Sequence, residues 1–148
     1  MMITPHFLTG VVIASQIPEA GPAALAAVAS HYVLDTIPHR DSFSHRYLDW
    51  PNLVLAGVDG VVALALFYWL VPPMHWGYYF GIGALAMLPD VISLPGAFWA
   101  KWWTLPGLKQ LHYWHTEVLQ YAWGDPGWVV GLLPQLAVIS TAIYFLWR

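Results

Sequence analysis

The stretch SHYVLDTIPHRD, Ser30 to Asp41, holds two histidines, two aspartates and an arginine in a chain of 148 residues of which only 9% are charged. His31 and Asp35 stand four positions apart, so on a helix they share one face, and His39 follows just beyond Pro38. The chain has no cysteine, which excludes disulfides, thiolate metal sites and cysteine nucleophiles together. Imidazoles mixed with carboxylates suit zinc, manganese or iron at an oxygen-rich site. Ions of that kind, in pairs, activate water and clamp a phosphoryl or acyl oxygen. The stretch therefore reads as a ligand cluster, with His31 and Asp35 on a helix and His39 in the loop below it.

Further donors of the same kind lie elsewhere. His6 opens the first apolar run, Asp59 sits inside LAGVDGVVA, Asp90 follows Pro89, and LHYWHTE supplies His112, His115 and Glu117. An aspartate inside a membrane span costs about 2.5 to 3.5 kcal/mol on insertion scales, so such a residue is normally paired or functional. The expected ligand set is His6, His31, Asp35, His39, Asp59, Asp90, His112 and His115. Glu117 is a candidate ligand or general base and Arg40 a candidate phosphate holder. His75 and His45 read as interface residues. No GxSxG nucleophile motif is present, so water activated by a metal is the expected nucleophile.

The elements that must carry these residues are apolar helices. Hydrophobic residues make up 59% of the chain, with ten tryptophans, and the mean hydropathy is +0.57. That is a membrane-protein composition. Leu53 to Val71 and Trp128 to Trp147 each supply the roughly 20 apolar residues that cross about 30 Å of hydrocarbon, and Gly77 to Leu94 does so with one late aspartate. Pro5 to Ile17 and Pro22 to Ile37 are shorter, about 18 and 24 Å as helices, and read as a hairpin packed inside the bundle. The expectation is a single all-α membrane-embedded domain over residues 1–148, a bundle of about five spans.

Proline marks the ends of these elements, because it is tolerated in the first turn of a helix and biases the residue before it away from helical geometry. Thr4-Pro5 reads as N-cap and first helical residue, Pro22 and Pro38 bound the second helix, Pro51 and Pro72-Pro73 the third. Pro89 ends or kinks the fourth and Pro126 opens the last. Between them, residues 96–125 are too interrupted to span, and FWAKWW, Phe98 to Trp103, suits an interfacial helix with tryptophans at headgroup level.

With about five spans, Arg40, Arg46, Lys101 and Lys109 all fall on one side, which the bias of basic residues makes cytoplasmic. The N-terminus then lies inside and the C-terminus outside. MMITPHFLTG lacks the basic n-region of a signal peptide and reads as mature sequence. The same arrangement carries six of the seven histidines, with Asp35, Asp59 and Asp90, to that one membrane face. A net charge of −3 with five basic residues offers no footprint for nucleic acid.

SHYVLDTIPH, the initial TPH and GALAMLPD together resemble a family of small bacterial integral membrane proteins described as metal-dependent hydrolases, over most of the chain from His6 to about His115. The HxxxD element is also remotely similar to that of zinc-dependent phospholipases C. The resemblance implies metal ligation by His31 and Asp35 and a role for Asp90. In the related hydrolases an HRGxTHS segment follows LPD, whereas HRDSFSH follows HxxxD here and lacks the glycine. The resulting expectation is a hydrolase of the bacterial inner (cytoplasmic) membrane, multi-pass, with a divalent metal, zinc foremost, acting on a lipid or other phosphoester at the cytoplasmic interface. Membrane lipids are the expected partners. The alternative is a non-catalytic accessory subunit of a larger membrane complex, favoured by the abundance of tryptophan. A haem anchor would instead need histidines facing each other within the membrane.

Overall fold

The computed structural model describes residues 1–40, 50–120 and 126–148, and among these every regular element is helical. The α-helices are α1 (Ile3–Gln16), α2 (Ala20–Asp35), α3 (Trp50–Leu70), α4 (Trp76–Ala86), α5 (Leu88–Phe98), α6 (Leu108–Tyr113) and α7 (Gly127–Trp147). Short 3-10 turns occupy Pro73–His75 and Ala100–Thr104, and Trp114–Gln120 is π-helical. His45 and Arg46 lie outside the described residues.

Two helices, α3 and α7, are long and apolar enough to cross a membrane. Each carries tryptophans 19 residues apart, Trp50 and Trp69 in one and Trp128 and Trp147 in the other, a separation of about 28 Å along a helix axis. Tryptophan favours the headgroup level, and the two pairs are in register: the Trp69 and Trp147 rings lie 5.2 Å apart. The expected third span is broken instead. The α4 and α5 axes bend by 54° where the chain passes Met87, because Pro89 in the first turn of α5 has no N–H to give the preceding turn.

Helix α1 is the centre of the bundle and packs against α2, α3, α4 and α7. Its residues Thr4 to Leu8, Gly10, Val11 and Ala14 are buried, so at 14 residues it needs no lipid-facing surface. It begins two residues before Pro5, with Met2 and not Thr4 as its N-cap. Thr4 instead gives its hydroxyl to Asp59 of α3 at 2.6 Å, and Asp59 Oδ2 accepts the Thr4 backbone N–H at 3.0 Å. A carboxylate from a neighbouring helix thereby satisfies one of the donors that a helix start leaves without a partner.

Close approach of α1 to α4 depends on glycine. A Cβ on Gly10 would lie 2.8 Å from the Gly83 Cα, and one on Gly83 would lie 2.8 Å from the Phe7 ring. Phe7 packs edge-on to Phe67 and Phe80 at 5.7 and 5.5 Å, which ties α1, α3 and α4 together. At the far end of the α1–α2 hairpin, Tyr78 donates to the Ile17 carbonyl at 2.6 Å.

Helix α2 buries one narrow stripe, Ala23, Ala27, His31 and Asp35, spaced by four, while Leu25 and Val33 on the opposite face are exposed. The small residues allow close packing in the first half of the helix. The polar pair occupies the same stripe at the C-terminal end. After α5 the chain folds back through Trp103, whose ring lies where a Gly96 side chain would be, 2.0 Å from that position, and stacks on His112 at 4.2 Å. The interfacial helix expected over Phe98 to Trp103 is a 3-10 turn, Ala100–Thr104, closed by Trp102 donating to the Ile92 carbonyl at 2.8 Å.

Candidate metal centre

Each donor at the centre is aimed by a specific feature of its helix. Because α4 stops at Ala86, its last carbonyls lack the usual helical donors, and the Ala86 carbonyl accepts a hydrogen bond from His31 Nδ1 at 2.7 Å. That contact fixes the tautomer. Nδ1 carries a proton, and Nε2 is the nitrogen turned to the interior. Its neighbours there are His115 Nε2 at 3.0 Å, Asp35 Oδ2 at 3.2 Å and Asp90 Oδ1 at 3.5 Å. His115 Nε2 lies 2.8 Å from Asp35 Oδ2 and 3.6 Å from Asp90 Oδ1.

Four donor atoms therefore cluster here, with five of their six separations running from 2.8 to 3.6 Å. Ligands bound tetrahedrally at about 2.0 Å are about 3.3 Å apart. The match is in size as well as in donor type. His31, Asp35 and His115 are buried, whereas the Asp90 side chain is 38% exposed, so the centre opens to its surroundings on the Asp90 side. His31, Asp35 and His115 form one group able to hold an ion, and His6, His31 and Asp90 form another.

His115 reaches this place from the π-helical turn Trp114–Gln120, which buries His115 and Thr116 and leaves Glu117 exposed. Such turns insert a residue into a helix and often occur at functional sites. His6 arrives from α1, stacked on His31 with ring centroids 3.9 Å apart, and its Nε2 lies 3.1 Å from Asp35 Oδ1. The Met1 amino group donates to the same Oδ1.

His39 follows α2, where its Nδ1 donates to the Ile37 carbonyl at 2.7 Å. Its Nε2 is buried, 3.8 Å from Asp35 Oδ1, and has no hydrogen-bond partner. Burial, then the nearby positive N-terminus, hold His39 below the ordinary histidine range, which keeps the ring neutral and that lone pair available. The backbone here is tied to α7: Arg40 N–H donates to the Gly131 carbonyl at 3.1 Å, and Gln135 donates to the Arg40 carbonyl at 2.7 Å. Gln135, a buried amide in an apolar helix, also accepts the Met2 N–H at 2.9 Å. It is a positioning residue that a reading of histidines and acids passes over, and its signal is a lone amide in a hydrophobic run.

Of the residues expected from sequence, His6, His31, Asp35, His39, Asp90 and His115 come together. Asp59 lies on the neighbouring helix, engaged with Thr4. His112 is one turn before His115, with Nδ1 3.2 Å from the Thr116 hydroxyl and 3.4 Å from that of Ser93. Arg40 places its guanidinium over the Trp128 ring, 4.7 Å from the centroid. Comparison with family models, curated proteins and solved structures finds no match.

Proposed function

We propose that this chain is a membrane-embedded, metal-dependent hydrolase acting on a lipid or another phosphoester at the cytoplasmic face. The observation that carries the reading is the close approach of His31 Nε2, His115 Nε2 and Asp35 Oδ2, 2.8 to 3.2 Å apart, with Asp90 Oδ1 3.5 and 3.6 Å from the two imidazoles. Two imidazoles and one carboxylate, His31, His115 and Asp35, match zinc with a position left for water, and manganese or iron also accept them. A bound divalent ion supplies Lewis acidity and an acidic water.

The chain's own groups do the rest. The Ala86 carbonyl holds the His31 ring in the tautomer that ligation needs, as an outer partner does in other metal sites. His6, stacked on His31 and in contact with Asp35, restrains both ligands from the central helix. Asp90 is the carboxylate that its surroundings reach, so it is the group placed to take a proton from entering water or to meet a substrate oxygen. Arg40, with its guanidinium over the Trp128 ring, marks the level where a headgroup phosphate lies.

The topology belongs to the same reading. About five spans, with α1 and α2 as a short inner hairpin and α4 with α5 as one broken crossing, carry every ligand to the end of the bundle that holds Arg40, Lys101 and Lys109. Basic residues favour the cytoplasm, which makes this the cytoplasmic side of a bacterial inner membrane. The test is hydrolysis of phospholipid and lipid-phosphate substrates by the chain in nanodiscs, before and after chelation. Metal-dependent release of phosphate or a phosphorylated headgroup, abolished in His115→Ala, is expected. Equal rates with and without metal would overturn the reading and favour an accessory subunit.

A further inference from the structure

Asp90, Ser93 and Gly96 stand three residues apart along α5, and each meets one residue of the chain that folds back against it. Asp90 Oδ1 lies 3.6 Å from His115 Nε2, the Ser93 hydroxyl 3.4 Å from His112 Nδ1, and the Trp103 ring fills the place of a Gly96 side chain. His112 is thus one rung beyond the centre, a rise of about 5 Å along the helix. We propose that His112 is the proton donor to the leaving oxygen of the substrate, given the hydrolase reading on which this inference rests.

The partners of the ring suit it to that task. His31 and His39 each place Nδ1 against a carbonyl oxygen, which accepts and never donates, so that nitrogen keeps its proton. His112 Nδ1 instead stands between two hydroxyls, Thr116 at 3.2 Å and Ser93 at 3.4 Å. A hydroxyl donates to a bare ring nitrogen and accepts from a protonated one by turning its O–H bond. The contact therefore survives when the ring gains or loses a proton, which a proton carrier requires and a metal ligand does not. The ring is half-buried and lies against Trp103, with centroids 4.2 Å apart and planes 25° from parallel. That stacking fixes its plane, and the face of an indole attracts a cation, so the charged form is favoured there.

In the step, a water oxygen forms a bond to phosphorus while the bond from phosphorus to the leaving oxygen breaks. That oxygen takes the proton of the His112 imidazolium and departs as an alcohol. The proton given up by the attacking water goes to Asp90 and returns to His112 through the surrounding water, which restores both groups. A positioned acid of this kind contributes about a hundredfold to ten-thousandfold in rate.

The experiment compares two phosphodiesters in nanodiscs, methyl dodecyl phosphate and nitrophenyl dodecyl phosphate, with the zinc-loaded full chain. An alkoxide needs a proton in order to leave, whereas nitrophenolate leaves as the anion. His112→Asn keeps an amide within reach of both hydroxyls but carries no exchangeable acid proton at neutral pH. It should slow hydrolysis of the methyl ester by about a hundredfold or more and that of the nitrophenyl ester far less, with zinc content by elemental analysis equal to that of the wild type. Equal slowing of both esters, loss of zinc, or wild-type rates on both would overturn the proton-donor assignment while the hydrolase reading stands. No hydrolysis of either ester by the zinc-loaded wild type would overturn both.

Discussion

At the residue scale, function turns on where lone pairs point. His31 and Asp35 were legible as a pair because spacing by four fixes a shared helix face, and the stripe Ala23, Ala27, His31, Asp35 continues that spacing outward. The partners of the pair were not legible in the same way, since contacts between helices distant in sequence are set by packing. Asp59 and Asp90 look alike in the sequence, as lone acids in apolar runs. One accepts two hydrogen bonds from Thr4 and the other lies 3.5 Å from His31 Nε2. Their substitutions should therefore diverge. Asp59→Asn weakens the contact that starts α1 and should lower stability by about 1 to 3 kcal/mol with metal content retained, as read by denaturation beside elemental analysis. Asp90→Asn should keep the fold and weaken zinc binding by tenfold or more, measured by competition with a chelator. The opposite pattern would exchange the two roles.

At the element scale, the site depends on interruptions. Pro89 ends α4 at Ala86, and the carbonyl so exposed orients His31; the prolines show in the sequence where helices stop, but not which freed carbonyl is used. The π-helical turn that buries His115 gives no sequence signal among apolar residues, because its hydrogen-bond pattern differs from an α-helix by one position. Two glycines set the spacing between elements. Gly10→Val would drive side-chain atoms into the α4 backbone, with an expected loss of about 1 to 3 kcal/mol from overpacking, or more. It should also lower metal affinity, because α1 carries His6. Gly131→Ala is more local: its Cβ would lie 2.4 Å from the Arg40 backbone nitrogen, so the segment bearing His39 must move. Global stability should change little and the environment of His39 greatly, which nuclear magnetic resonance of the ring protons would register. An unchanged His39 signal would show that Gly131 does not hold that segment.

At the scale of the whole molecule, composition announced apolar helices, and α3 and α7 are long and apolar enough to cross a membrane. How the remaining helices pack was less legible: α1 is short and surrounded by α2, α3, α4 and α7, and burial of that kind is a property of the assembly. The topology reading predicts that single cysteines at Lys101 and Lys109 label from the cytoplasmic side and one at Met74, exposed at the far end, labels from outside. Labelling of the lysine positions from opposite faces would separate His115 from Asp90 and dissolve the site.

The most direct test of the central claim is the metal content of the purified full chain, wild type beside Asp35→Asn. At least one zinc, manganese or iron per wild-type chain, largely lost in Asp35→Asn while its helical content is unchanged, is the predicted result. A folded wild-type chain that is metal-free as purified and takes up none of the three on incubation would contradict the account.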